Sequence, residues 1–182
     1  MNQKSKPHPL NLSPQPFGQR GEGWVIVQGL LLLGLIILPP VPMISLDSAT
    51  KFQIYLYDGV AIIFGVTALI MMVKGVVDLG ENLTPLPYPK AAGTLITTGI
   101  YRIVRHPLYS GLIFAALGWA IFKASFSHLL GTVILFMFLD LKARTEENWL
   151  KQRYPSYTEY SAQVNKLIPS LRRKGAATIA ES

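Results

Sequence analysis

From Ile54 to Val73 the chain reads IYLYDGVAIIFGVTALIMMV, twenty residues in which Asp58 is the single charge. Wound as an α-helix at 1.5 Å per residue, such a run is about 30 Å long, the thickness of the hydrocarbon core of a bilayer. Inside lipid the backbone must satisfy its own hydrogen bonds, so a helix is the expected form. Three further apolar runs accompany it. Trp24 to about Ile44 opens on an indole suited to the interface and weakens as a helix at Pro39, Pro40 and Pro42. Pro107 to about Phe122 and about Ser125 to Leu141 are shorter. The brief KASFSH connection between them predicts an antiparallel helical hairpin. The expected fold is all-α: a polytopic membrane protein of about four transmembrane helices, with this short hairpin and a cytoplasmic C-terminal helical segment.

Composition agrees. Half of the 182 residues are hydrophobic and 15% are charged, against about a quarter charged in soluble domains. The net charge of +7 then points to anionic lipid headgroups rather than nucleic acid. Cysteine is absent, which excludes disulfides, thiolate metal sites, a cysteine nucleophile and a C-terminal prenylation box. Lysine and arginine number three before the first run, then one, four and one in the connections, and eight after the fourth. That alternation predicts multi-pass insertion with both termini cytoplasmic.

The expected organisation follows from these runs. Residues 1–22, rich in Pro, Asn, Gln and Ser, form a flexible arm rather than a signal peptide. Residues 23–141 are the membrane domain, with a cytoplasmic loop at 74–106. Residues 142–171 form a C-terminal segment that favours helix from Arg144 to Tyr154. A second short helix follows Pro155 through Tyr157, Tyr160 and Val164, and Pro169 stops it. Residues 172–182 are a disordered tail.

Three polar stretches share the cytoplasmic side: Leu79 to Pro89, GIYRIVRHPLYSG (Gly99 to Gly111), and KARTEENW (Lys142 to Trp149). Pro107 suits the first turn of a helix, whose free N–H groups attract anions. Arg102 and Arg105 add positive charge there, His106 adds a donor, and Gly111 permits close approach. Glu146 and Glu147, adjacent on a helix, are not expected to share a face. One would enter a cytoplasmic cleft while the other meets solvent or Arg144. A basic end for a carboxylate and an acidic end for an ammonium or ribose hydroxyls meet the demand of the amino-acid half of S-adenosylmethionine. The histidines His8, His106 and His128 are scattered, so no metal site is expected, and no Ser-His-Asp set, Walker loop or GxGxxG is present. Tyr154, Tyr157 and Tyr160 read as interfacial packing on the membrane domain.

These motifs resemble the isoprenylcysteine carboxyl methyltransferase family, within a wider set of integral-membrane methyltransferases that includes phospholipid N-methyltransferases. The resemblance rests on RHPLYSG (Arg105 to Gly111) preceded by Leu95, Gly99 and Tyr101 in a Leu-x-x-x-Gly-x-Tyr pattern, on RTEE (Arg144 to Glu147), on YPSYTEYSAQVNKLIP (Tyr154 to Pro169), and on LGENLTP with Asn82. It covers about Leu79 to Leu171. It implies S-adenosylmethionine as cofactor, bound by Leu95, Tyr101, His106, Pro107, Tyr109, Gly111, Glu146 and Glu147. It implies Arg105 or Arg144 as the catalytic guanidinium that steers the acceptor, and Asn82 in substrate binding. The implied partners are membrane lipids and a lipophilic small-molecule or prenylated acceptor, with no nucleic acid. Asp140, Leu141 and Lys142 stand where the eukaryotic enzymes carry further arginines. Other readings of the same residues are a phospholipid amine or thiol methyltransferase, a sterol-type membrane reductase using a nicotinamide cofactor, and a non-catalytic adaptor whose basic face docks anionic lipid.

Overall fold

The computed structural model describes residues 21–43, 50–84 and 93–169. The arm expected over 1–22 and the tail over 172–182 therefore fall outside it, apart from Gly21 and Glu22, as do residues 85–92 of the loop. The described residues are all-helical: α1 (Glu22–Ile37), α2 (Lys51–Leu79), α3 (Pro107–Phe122), α4 (Phe126–Arg153) and α5 (Tyr157–Gln163). Two isolated bridges, Pro42 with Ser125 and Val104 with Asn165, are the β-type pairings among them.

Each helix ends where local chemistry stops it. α1 stops at Ile37 because Leu38, ahead of Pro39, is extended. α2 starts three residues before the expected apolar run. Thr50 and Gln53 form a reciprocal capping box, with Gln53 N donating to Thr50 Oγ1 at 3.2 Å and Thr50 N to Gln53 Oε1 at 2.9 Å. Gly80, at φ +52°, ends it. α3 has the bounds read from the sequence, with Pro107 in its first turn. The expected boundary at Leu141 is no break. α4 continues to Arg153, 28 residues in all, because KARTEENWLKQR contains good helix formers and neither glycine nor proline.

Two helices, α2 and α4, are long and apolar enough to cross a membrane; α1 and α3 are apolar helices of 16 residues. In α4 the apolar part ends at Leu141, and the polar turns from Lys142 extend beyond it. Large aliphatic side chains face outward, among them Ile36 (70% exposed), Ile62 (64%) and Leu69 (63%). An apolar surface this extensive suits contact with lipid.

Close packing of α2 on α3 sets the frame. Ala61, Ala68 and Gly75 recur every seven residues on α2, and Gly111 and Gly118 are seven apart on α3. A Cβ at Gly118 would stand 3.1 Å from Ala61 O and from Phe64 Cβ; one at Gly111 would meet Met72 Cγ at 2.5 Å. Small residues thus let the two backbones approach. α3 turns through Lys123–Ser125 into α4, giving the expected antiparallel hairpin, and α1 lies on α4, where Trp24 meets Phe138 at 5.4 Å. At the far end the chain after α1 is clasped to the hairpin turn, with Met43 N bonded to Ala124 O at 2.7 Å and Phe126 N to Val41 O at 2.8 Å.

At the opposite end Ile100, Tyr101 and Val104 pack on Met71 and form a buried core with Ile96, Ile103, Leu79 and Phe114 around it. Asp78 fixes the entry to this loop by accepting from Ile100 N at 2.7 Å. Gly99, at φ +60°, is required there, because a Cβ would meet Asp78 Oδ2 at 2.1 Å.

Candidate active site

The segment before α3 and the segment after α5 are laid side by side. Arg105 N donates to Asn165 O at 2.9 Å, His106 N to Lys166 O at 3.1 Å, and Ser110 Oγ to Leu167 O at 2.6 Å. Arg105 and His106 also meet the acids of α4, about forty positions on, in one buried cluster. Arg105 Nε and Nη2 reach Glu147 Oε1 at 2.9 and 2.8 Å, and Nη1 donates to the carbonyls of Ser161, at 2.6 Å, and Val164. The His106 ring lies between the two acids: Nε2 is 3.1 Å from Glu147 Oε1, and Nδ1 is 3.3 Å from Glu146 Oε2. Tyr109 stacks on that ring at 5.4 Å and donates its hydroxyl to Glu146 Oε1.

The expectation that the two glutamates diverge is therefore corrected. They do leave the helix in different directions, but the imidazole has two nitrogens on opposite sides of its ring and joins both. Burial disfavours the charged imidazole, yet the hydrogen bonds to Glu146 and Glu147 overcome this and raise its pKa. Burial likewise raises Glu147. The His106 hydrogen bond and the charges of His106 and Arg105 outweigh it and bring Glu147 down to about 2. Arg105 and His106 face the two carboxylates in a cluster hydrogen-bonded throughout, which is how buried charge is tolerated.

Beside this cluster lies a cavity of about 550 Å³, within the range of small-molecule sites. Its outer wall is the segment Gly93–Ile96, held by Asn82 Oδ1, which accepts from Thr94 N at 2.9 Å. Three tyrosines of the C-terminal segment line it. Tyr154 donates to Gly93 O at 2.6 Å, and Tyr160 to Tyr101 O at 2.6 Å. Tyr157 is 1% exposed, and its hydroxyl has no hydrogen-bond partner among the described residues. Val25 and Gln28 of α1, Leu112 of α3 and Lys142 of α4 also line it.

Of the residues singled out in the sequence, Asn82, Leu95, Tyr101, Arg105, His106, Pro107, Tyr109 and Glu146 line this cavity. Glu147 stands behind His106. Gly111 faces Met72 and Ala68 of α2 rather than the cavity. Arg144 is two-thirds exposed and pairs with Asp140 at 2.7 Å, one turn back on α4. Lys142, Gln28 and the three C-terminal tyrosines line the cavity although sequence reasoning gave them no site role. The signal for Gln28 was its place as a lone polar residue in an apolar run. The tyrosines carried a three-residue spacing, and Lys142 sits one helical turn before Glu146.

Comparison with known proteins bears on the chemistry of this site. The profile of the family described as phospholipid methyltransferase matches residues 55–157, which takes in α2, α3, α4 and the cluster. The chain belongs to the phospholipid methyltransferase family. Members of such a family move a methyl group from a donor. Relatives include a probable protein-S-isoprenylcysteine O-methyltransferase of Oryza sativa subsp. japonica, 35% identical over 77 residues, or 41% of this chain and 40% of the relative. A protein-S-isoprenylcysteine O-methyltransferase of Schizosaccharomyces pombe is 39% identical over 77 residues, 41% of this chain and 33% of the relative. A methanethiol S-methyltransferase of Pseudomonas deceptionensis is 32% identical over 88 residues, 48% of this chain and 33% of the relative. The chain thus spans at most two fifths of the length of these relatives.

Proposed function

We propose that this chain is an integral-membrane methyltransferase that uses S-adenosylmethionine to methylate a lipophilic acceptor. In this reading four helices cross the bilayer, with both termini and the cluster on the cytoplasmic side. The observation that carries the proposal is the Arg105–His106–Glu146–Glu147 cluster beside a cavity lined both by loop residues and by the apolar helices.

The residues present fit the cofactor. The unpartnered Tyr157 hydroxyl is a buried donor awaiting an acceptor, and burial followed by the nearby Glu147 charge pushes its pKa up, so it stays protonated. Glu146 offers a carboxylate at the cavity wall for an ammonium. Leu79, Leu83, Leu95 and Ile96 offer apolar contact for a flat heterocycle. When bound, the cofactor supplies a methyl group already activated on a sulfonium. The protein's task is then alignment and exclusion of water. His106 and Arg105 hold the acids in place, Glu146 orients the ammonium end, and the face of Tyr101 favours a nearby positive charge by about 0.5–2 kcal/mol. Arg105 gives its donors to Glu147 and to the carbonyls of Ser161 and Val164, so its part in this reading is to position the acids and the C-terminal segment.

Equilibrium binding of radiolabelled S-adenosylmethionine to detergent-purified protein tests this. Saturable binding that is lost in Glu146→Gln is expected. Absence of binding, or saturable binding of NADPH in its place, would remove the proposal.

A further inference from the structure

Lys142 is a charged side chain of the cavity wall that the cofactor reading leaves unused. It leaves α4 one turn before Glu146 and is 2% exposed. Its ammonium donates to Gln28 Oε1 at 2.6 Å and lies 5.0 Å from the centre of the Tyr109 ring. Both contacts are neutral. Among the described residues no carboxylate lies within 4.0 Å of it. Glu146, the next acid along the helix, contacts Tyr109 and His106 and does not reach the ammonium directly. A buried cation whose direct contacts are neutral, with Glu146 acting on it only across space, is costly, and an arriving anion relieves that cost.

Its place in the cavity says which anion. Lys142, Gln28, Val25 and Leu112 line it from the helices α4, α1 and α3, whereas Gly93–Ile96 and Tyr160 belong to the loop and the C-terminal segment. The Gln28 amide nitrogen has no partner among the described residues, so a second donor stands beside the ammonium. We infer that Lys142 and Gln28 form an anion subsite on the helix-lined wall of the cavity, which holds the carboxylate or thiolate of a lipophilic acceptor.

This inference rests on the methyl-transfer reading and narrows its acceptor. A lone pair of the bound oxygen or sulfur forms the bond to the methyl carbon. The carbon–sulfonium bond breaks with its electron pair going to sulfur, leaving a neutral thioether. The acceptor loses its charge in the same step. The neutral ester or thioether then has no hold on Lys142, which favours its release into lipid.

Four probes with one tail and different heads test this: dodecanoate, dodecanethiol, dodecanamide and dodecylamine, each with labelled S-adenosylmethionine and purified protein. The readouts are methyl transfer and the shift in melting temperature of the cofactor-bound protein. Transfer to, or stabilisation by, dodecanoate or dodecanethiol, with neither for the amide or the amine, is expected. Lys142→Met should raise the KM, or the stabilising concentration, of the anionic probe at least tenfold while the cofactor Kd stays within twofold. Lys142→Arg should restore part of it. Preference for dodecylamine, or no preference among the heads, overturns the inference. So does a Lys142→Met protein that loses the cofactor and keeps the acceptor, since the lysine then holds the donor's carboxylate. If Lys142→Met does not fold, the wild-type ranking of the four heads decides. Failure of the wild type to bind the cofactor is a different result and counts against the methyl-transfer reading itself.

Discussion

Tyr157 separates binding from folding at a single atom. Its hydroxyl is buried without a partner, so the cofactor-free protein gains nothing from it. Tyr157→Phe should leave the melting temperature unchanged or raise it, by about 1 kcal/mol of relieved desolvation at most. The same variant should weaken S-adenosylmethionine about tenfold, the loss of one hydrogen bond of roughly 1.4 kcal/mol. A folded variant that binds as tightly as wild type would place the hydroxyl outside the cofactor's reach. His106 and Glu147 predict a pH profile. His106 is raised above its ordinary 6.5, so its contribution is full below 6.5 and is lost as pH rises through the raised value. Glu147 is lowered from 4.5 to about 2, so its contribution is full above 4.5 and is lost as pH falls toward 2. Melting temperature should therefore peak between about 4.5 and 6.5 as far as this cluster controls it. His106→Gln should flatten the alkaline side. An alkaline limb of unchanged steepness in that variant would show that another group governs it.

Between helices, the seam of small residues predicts sensitivity to added volume. Gly118→Leu forces a side chain against Ala61 O and Phe64 Cβ, both 3.1 Å from the position its Cβ would take. Overpacking of this kind costs about 1–3 kcal/mol and should appear as a lowered melting temperature, with cofactor affinity retained in the folded fraction. Gly29→Leu, where nothing lies within 4 Å of the added Cβ, is the control. At this scale much was legible. The bounds of α3 follow from Pro107 and the end of the apolar run, and the hairpin from the short KASFSH turn. The continuity of α4 was not, because hydropathy changes at Leu141 while helix propensity does not. The convergence of Glu146 and Glu147 on one imidazole was also hidden. Helical geometry says that neighbours diverge, and only the fold supplies a ring between them. Lys142 was read as a departure from a family pattern. Its contact with Gln28 needs α1 against α4, which no local pattern encodes.

Across the molecule, the proposed four-span topology places the Lys123 turn and the Lys151 end of α4 on opposite sides of the bilayer. The native chain has no cysteine, so Lys123→Cys and Lys151→Cys, both at exposed positions, report without background. A membrane-impermeant maleimide on intact cells should label Lys123→Cys and leave Lys151→Cys unlabelled until lysis. Equal labelling of both before lysis would reject the orientation. The unbroken α4 has a mechanical consequence. One rigid rod joins the clasp at the far face to the acids at the near face, with no hinge to absorb displacement. Lipid tails that are too short or too long would tilt that rod and shift Glu146 and Glu147 against His106. Turnover in vesicles should therefore rise and fall with acyl-chain length, making the catalyst a gauge of the membrane that houses it.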